Sequence, residues 1–334
     1  MQKILIAGPA WVGDMVMAQS LYISLRQRHP DVVIDVLAPA WSGPILKRMP
    51  EVRRHIEMPV GHGTFGLMAR YRLGKQLQGE GYDQAIIIPR SLKAALTPFF
   101  AGIPRRTGYK GELRFGLIND MRPLDKKVLS QTVQRYVALG LERGAVLPPK
   151  QIPQPRLEVD AQNQQRLQVE FSLDQNKPVT GFVPGAEYGP AKRWPPEYFA
   201  ELAQQLVTQG RQVWLFGSAK DTPVCQQIVA AAGEGVIDLS GKTSLEDVVD
   251  LIAMSEQVVS NDSGLMHIAA ATGRKIIAIY GSSSPGYTPP LSDRAKVIYL
   301  GLECSPCFER KCPLGHYDCL RKIDVGRVFE QCLL

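Results

Sequence analysis

Residues 179–216 read VTGFVPGAEYGPAKRWPPEYFAELAQQLVTQGRQVWLF. Val179–Val183 is an apolar run of strand length that leads into Pro184-Gly185. Within Glu197–Gln209, Phe199, Leu202, Ala203, Leu206 and Val207 recur at i, i+3, i+4, i+7 and i+8. That is the spacing of a helix with one apolar face. Gly210 supplies the residue that ends it, and Gln212–Phe216 is the next apolar run. Strand, helix and strand in so short a stretch predict a parallel crossover unit.

The pattern continues on both sides. Downstream, Thr243-x-x-Glu246 reads as a capping box opening a helix that runs to Met254. Val258-Val259 is a short strand, Gly264–Thr272 a helix stopped by Gly273, and Ile276–Tyr280 a further strand. Upstream, Lys3–Ala7, Val32–Leu37 and Gln84–Ile88 are strand candidates, and Met15–Arg28 is a helix ending before Pro30. Strands that are apolar throughout belong to parallel sheets covered on both faces. Between the two halves, Pro148, Pro149, Pro153 and Pro155 precede a glutamine-rich stretch around Gln162–Gln165, the texture of a linker. The expected fold class is α/β, with two facing Rossmann-like domains, parallel sheets and a ligand cleft between them. The expected boundaries are 1–155, a linker over 156–175, and 176–334.

A chain of 334 residues with 45% hydrophobic and 21% charged residues can fill two cores. It shows neither a signal-peptide h-region nor an apolar stretch of spanning length, so a cytoplasmic protein is expected. Thirty-nine Lys and Arg against 32 Asp and Glu give a net charge of +7, which favours an anionic partner. The basic clusters are Arg53-Arg54, Arg105-Arg106 with Lys110 and Arg114, and Lys126-Lys127. No nucleic-acid-reading motif accompanies them, so no nucleic-acid partner is expected.

Four segments can carry chemistry. Gly8-Pro9-Ala10-Trp11-Val12-Gly13-Asp14 follows the first strand and is not a dinucleotide fingerprint. Asp14 reads either as a helix cap or first-turn carboxylate, or as a general base. Gly185, Glu187, Tyr188 and Lys192-Arg193 lie in a Gly-containing loop before a helix, a setting that suits a diphosphate. Asp221, after Phe216-Gly217-Ser218, reads as a ribose acceptor or a helix-capping residue. In Ser260-Asn261-Asp262-Ser263-Gly264-Leu265-Met266-His267 a strand runs into a helix, whose first N–H groups at Ser263 and Gly264 would face a phosphate. His267, one turn further in, would donate to the same anion or brace the loop.

Trp11-Val12-Gly13-Asp14, Gly185-Ala186-Glu187 with Lys192-Arg193-Trp194-Pro195, and Asn261–His267 together resemble the ADP-heptose:lipopolysaccharide heptosyltransferases. The likeness runs over nearly the whole chain. It includes Ala38-Pro39-Ala40-Trp41, Pro98–Pro104 and Ser284-Pro285. The resemblance implies a GT-B fold and an inverting, metal-independent transfer from ADP-heptose to the first heptose of the Kdo–lipid A inner core. It implies that Asp14 is the catalytic base, that Lys192 binds diphosphate, and that Asp262, Ser263 and Gly264 form the donor loop. Asp221 falls where relatives place a ribose-binding acid, among residues that match less well. The acceptor side is expected to use Gly13, Lys93, Arg105, Arg106 and Arg114. An anionic, membrane-embedded acceptor would bring the protein to the inner face of the inner membrane as a peripheral partner. The competing readings are a heptosyltransferase for another core position or a protein acceptor, a sugar-nucleotide epimerase, and a non-catalytic nucleotide-binding protein.

Cys304-x2-Cys307-x4-Cys312-x6-Cys319 stands apart from these motifs. In a reducing compartment such a cluster suggests a structural zinc or iron site, with His316 a substitute ligand. No cofactor is expected for catalysis itself.

Overall fold

The computed structural model describes residues 1–334 except His62 and Gln175. The chain divides into two compact units, Met1–Pro155 and Arg156–Leu334.

The first unit runs β1 (Lys3–Ala7), α1 (Val12–Arg28), β2 (Val33–Ala38), α2 (Gly43–Leu46) and β3 (Val52–Glu57). It continues through α3 (Leu67–Leu77), β4 (Gln84–Ile87), α4 (Leu92–Phe100), β5 (Arg105–Tyr109), β6 (Asp120–Arg122) and α5 (Thr132–Gly140). The second unit opens with α6 (Ala161–Glu170), β7 (Val179–Val183), α7 (Pro196–Thr208), β8 (Gln212–Leu215) and α8 (Thr222–Ala232). Then come β9 (Val236–Asp238), α9 (Leu245–Met254), β10 (Gln257–Asn261), α10 (Gly264–Ala271) and β11 (Lys275–Tyr280). The chain closes with β12 (Ala295–Tyr299), α11 (Asp318–Arg321) and α12 (Val325–Leu333).

Each unit holds a six-stranded sheet, ordered β3-β2-β1-β4-β5-β6 in the first and β12-β11-β10-β7-β8-β9 in the second. Every pairing is parallel. Counted within its own unit, the second order is the first read backwards, so both are Rossmann sheets. In each, the strand order reverses between the unit's first and fourth strands, and ligands of such sheets bind at the carboxyl ends there. The switch points are therefore the loops after β1 and β4, and those after β7 and β10.

The inner strands are apolar because helices cover both sheet faces. Ile4, Leu5, Ile6, Ala85, Ile86 and Ile87 are buried in the first unit, and Phe182, Val258, Val259, Ile276 and Ile277 in the second. Around α7 the core is aromatic. Trp194 and Phe199 meet edge to face at 4.9 Å between ring centroids, and Phe182 lies 5.4 Å from Phe199. No helix among the described residues is long and apolar enough to cross a membrane.

Several local expectations change. α1 begins at Val12, with Trp11 at its N-cap. The capping box of α9 is Ser244 with Asp247, one residue later than Thr243 and Glu246, since Thr243 Oγ1 donates back to Leu239 O. The stretch expected as a linker over 156–175 contains α6, whose Asn163 donates to Asp247 and Asp250 on α9. Its last residue, Gln175, lies outside the described residues. Arg53 and Arg54 do not form an open basic cluster: both pair with buried Asp35 and with Glu80.

Candidate active site

The loops after β7 and β10 bring together residues some 70 positions apart. Lys192 Nζ lies 2.5 Å from Asp262 Oδ2, with both side chains largely buried. Asn261 fastens the two loops, since its Oδ1 accepts from Trp194 N at 3.0 Å and its Nδ2 donates to Pro184 O at 2.7 Å. Ser263 is the N-cap of α10, and its hydroxyl accepts from Met266 N at 3.3 Å. The N–H groups of Gly264 and Leu265, in the first turn, have no acceptor within the helix and carry the positive end of its dipole. His267 is buried behind this turn. Burial pulls its pKa down to about 4; Asp262 opposes that shift and Lys192 reinforces it. The imidazole is neutral near pH 7, so it can donate or accept but adds no charge.

The remaining donor-side residues surround this pair. Lys192 Nζ sits 5.1 Å from the centroid of the Tyr188 ring, and the Arg310 guanidinium lies 5.2 Å from the same ring. Tyr188 in turn donates its hydroxyl to Phe308 O at 2.5 Å. Ala191 N donates to Arg310 O, and Gly189, at φ +153°, stands where a Cβ would come within 2.5 Å of that carbonyl. The segment containing Phe308 and Arg310 thus packs directly on the 185–193 loop. Sequence reasoning missed Arg310, which lies more than a hundred residues from that loop in the chain. Glu187 forms an exposed ion pair with Lys220 at 2.6 Å.

Asp221 occupies the N-cap position of α8 but makes no side-chain bond to that helix. It accepts instead from Ser218 N at 2.9 Å and Ser218 Oγ at 2.8 Å. Gly185 lies against it: a Cβ there would fall 2.3 Å from Asp221 Oδ1.

In the first unit, Asp14 lies in the first turn of α1, just after buried Gly13 and beside the β1 switch point. The cap belongs to Trp11, so Asp14 is a first-turn carboxylate. Tyr136 on α5 donates to Asp14 Oδ1 at 3.0 Å. α5 reaches α1 closely because Gly140 has no side chain; a Cβ there would sit 2.5 Å from Leu21 Cδ1. No motif marks Tyr136 in the sequence.

The basic residues expected on the acceptor side divide. Lys93 is half-buried in the first turn of α4. The three arginines have internal partners instead. Arg114 is wholly buried and donates to Pro89 O, Ser91 O and Tyr109 O. Burial pulls its pKa down to about 10, and nearby Arg90 adds to the effect. Arg106 donates to Ile103 O, Leu117 O and Gly116 O, and Arg105 pairs with Asp120 and Glu142. Their contacts hold the β5–β6 region together.

The cysteines are free thiols, and among the described residues no group of three or more His, Cys, Asp or Glu is arranged to hold a metal ion. This leaves the zinc or iron site expected at Cys304, Cys307, Cys312 and Cys319 without support. Burial pushes the Cys319 thiol up to about 11, helped by the neighbouring Cys304, Cys307 and Cys312 sulfurs, and its side chain packs against the core. Slight burial raises Cys312, but the N–H groups of Tyr317, Leu314, Gly315 and His316 outweigh it. His316 Nδ1 accepts from Asp318 N at 3.0 Å, so it faces its own turn.

The sequence and the fold have relatives among known proteins. The sequence model of the family described as glycosyltransferase family 9 (heptosyltransferase) matches residues 70–318. Lipopolysaccharide heptosyltransferase 2 of Salmonella typhimurium is 48% identical, over 98% of this chain and 97% of the relative. Lipooligosaccharide heptosyltransferase 2 of Haemophilus influenzae is 53% identical, over 89% of this chain and 88% of the relative. The solved structure of the Escherichia coli ADP-heptose lps heptosyltransferase II superposes with a TM-score of 0.88 at 45% identity, covering 100% of this chain and 98% of that one.

Proposed function

The chain belongs to glycosyltransferase family 9, the heptosyltransferases, and from that premise we propose that it moves L-glycero-D-manno-heptose from ADP-heptose, with inversion, onto the first heptose of the Kdo–lipid A inner core of lipopolysaccharide. The observation that carries the reading is the meeting of Lys192, Asp262 and the first turn of α10 at one switch point. It offers an ammonium and free N–H groups to a diphosphate.

In this reading the first unit binds the acceptor and the second binds the donor. The acceptor hydroxyl oxygen attacks the anomeric carbon of the heptose while its proton passes to the Asp14 carboxylate. The bond from that carbon to the diphosphate oxygen breaks, and ADP leaves with the electron pair. Lys192 and the N–H groups of α10 stabilise the charge it gains. The residues that supply this stabilisation are the protein's own, so no cofactor is assigned to the step. Gly185, Glu187, Tyr188 and His267 line the donor side and Asp221 accepts from the ribose. Gly13 and Lys93 serve the acceptor, which lies at the inner face of the inner membrane.

A heptosyltransferase for another core position or for a protein acceptor would use these residues in the same roles and differ in product. The epimerase reading is not favoured, because relatives matching nearly the whole chain are heptosyltransferases. The test is product analysis by mass spectrometry, using ADP-heptose with core acceptors carrying no heptose or one. Addition of a single heptose only to the second acceptor, undiminished by EDTA, is the expected result. Addition to the first, or to protein, would replace this acceptor assignment.

A further inference from the structure

We propose that the exposed arc of α3, together with the end of α4 and the loop after β5, is a docking surface for an anionic lipid bilayer. The inference rests on the reading of a lipid-borne acceptor and names the surface that would bring the first unit to it.

On α3, Leu67, Tyr71, Lys75, Met68 and Arg72 fall within one arc of about 140° at 100° per residue. All five are exposed, Met68 at 59%. The opposite side, with Arg70, Gly74 and Leu77, is buried. An ordinary surface helix turns its apolar residues inward, so this one is reversed in three positions.

The apolar surface continues beyond the helix. Tyr71 meets Phe100 edge to face at 5.1 Å, Phe100 meets Phe99 at 5.6 Å, and the Arg106 guanidinium lies 5.5 Å from the Phe99 ring. Arg106 is bonded in turn to Gly116 O and Leu117 O, beside Phe115, which is 68% exposed. A connected set of exposed rings and aliphatic side chains on one unit marks an interaction site rather than scattered surface residues.

Charge selects the occupant. No acidic residue lies between Glu57 and Glu80, while Arg72 and Lys75 stand among the exposed apolar groups. Apolar side chains flanked by cations suit the acyl–headgroup boundary of an anionic leaflet, where long cationic side chains reach the phosphates. A second copy of the chain is a poorer match, since a two-fold contact would set these cations against their own equivalents.

The experiment is co-sedimentation of the full chain with vesicles of phosphatidylcholine, alone or mixed with phosphatidylglycerol. Two double variants are compared with the wild type: Leu67→Ser with Tyr71→Ser, and Arg72→Glu with Lys75→Glu. The expected result is salt-sensitive binding to the mixed vesicles only, weakened about tenfold or more in either variant. Transfer to an acceptor stripped of its acyl chains should keep its wild-type rate in both variants, which also shows that they fold. Wild-type binding by the variants, no binding by the wild type, or a wild-type dimer that the variants dissociate would each overturn the proposal. Vesicle binding is read without substrate, so a failure of the transfer reading is seen separately in the product assay.

Discussion

Lys192 and Asp262 form an ion pair across two loops of one sheet, 2.5 Å apart and largely out of water. The pair presents the ammonium beside the first turn of α10, where a diphosphate would find both a cation and free N–H groups. A charge-assisted contact of this kind contributes about 1.5–3 kcal/mol. Lys192→Ala should therefore weaken ADP binding by roughly 10- to 100-fold, as read by calorimetry, and lower kcat as well. A variant that binds ADP normally would remove Lys192 from the donor site.

How much of this was legible in the sequence depended on what each residue faces. The inner strands could be read because helices cover both sides, which leaves continuous apolar runs such as Ile4–Ile6 and Ile276–Ile277. The edge strand β3, Val-Arg-Arg-His-Ile-Glu, could not, since its arginines point to Asp35 and Glu80 rather than to an apolar layer. The loops at the switch points were legible because Gly, Lys and Asn-Asp-Ser-Gly must stand there for close approach and capping. The role of an arginine was not. Arg114 is fixed by carbonyls of Pro89, Ser91 and Tyr109, and nothing in its own neighbourhood announces them. Cysteine spacing is silent for a similar reason: a knuckle spacing says nothing about whether the sulfurs turn towards one another or towards backbone and core.

The buried His267 gives a stability signature in acid. Its pKa of about 4 in the fold lies below the ordinary 6.5, so between these values the unfolded chain binds the extra proton. Stability due to this residue is complete above pH 6.5 and is lost as pH falls towards 4, to a total of about 3 kcal/mol. His267→Gln should show a shallower loss between pH 7 and pH 5 in urea unfolding. An unchanged pH dependence would mean that the imidazole is hydrated and free to protonate.

Tyr136 and Asp14 make a second testable pair. The tyrosine hydroxyl donates to Asp14 Oδ1 and so holds one carboxylate oxygen in place. Asp14→Asn should leave ADP affinity within a few-fold and reduce turnover by about 100-fold or more, the scale of a lost general base. Tyr136→Phe keeps the base but removes the donor. Its turnover should fall by less than that of Asp14→Asn, with ADP affinity unchanged. Wild-type turnover in Tyr136→Phe would mean that the tyrosine braces the two helices and does not position the carboxylate.

The contact between Gly185 and Asp221 allows folding and binding to be separated. A Cβ at 185 would stand 2.3 Å from Asp221 Oδ1, while Asp221 is held by both the N–H and the hydroxyl of Ser218. Gly185→Ala must therefore push the carboxylate off these donors or shift the loop after β7. Displacing it breaks two exposed hydrogen bonds, a loss of about 0.5–1.5 kcal/mol each. Gly185→Ala should accordingly lower the midpoint of thermal unfolding and weaken ADP binding together. Adding Asp221→Ala removes the clash, so the double variant should regain stability relative to Gly185→Ala alone. Its ADP affinity should stay low, because the proposed ribose acceptor is gone. Recovery of affinity along with stability would show that Asp221 only shapes the loop, and the ribose contact would have to be assigned elsewhere.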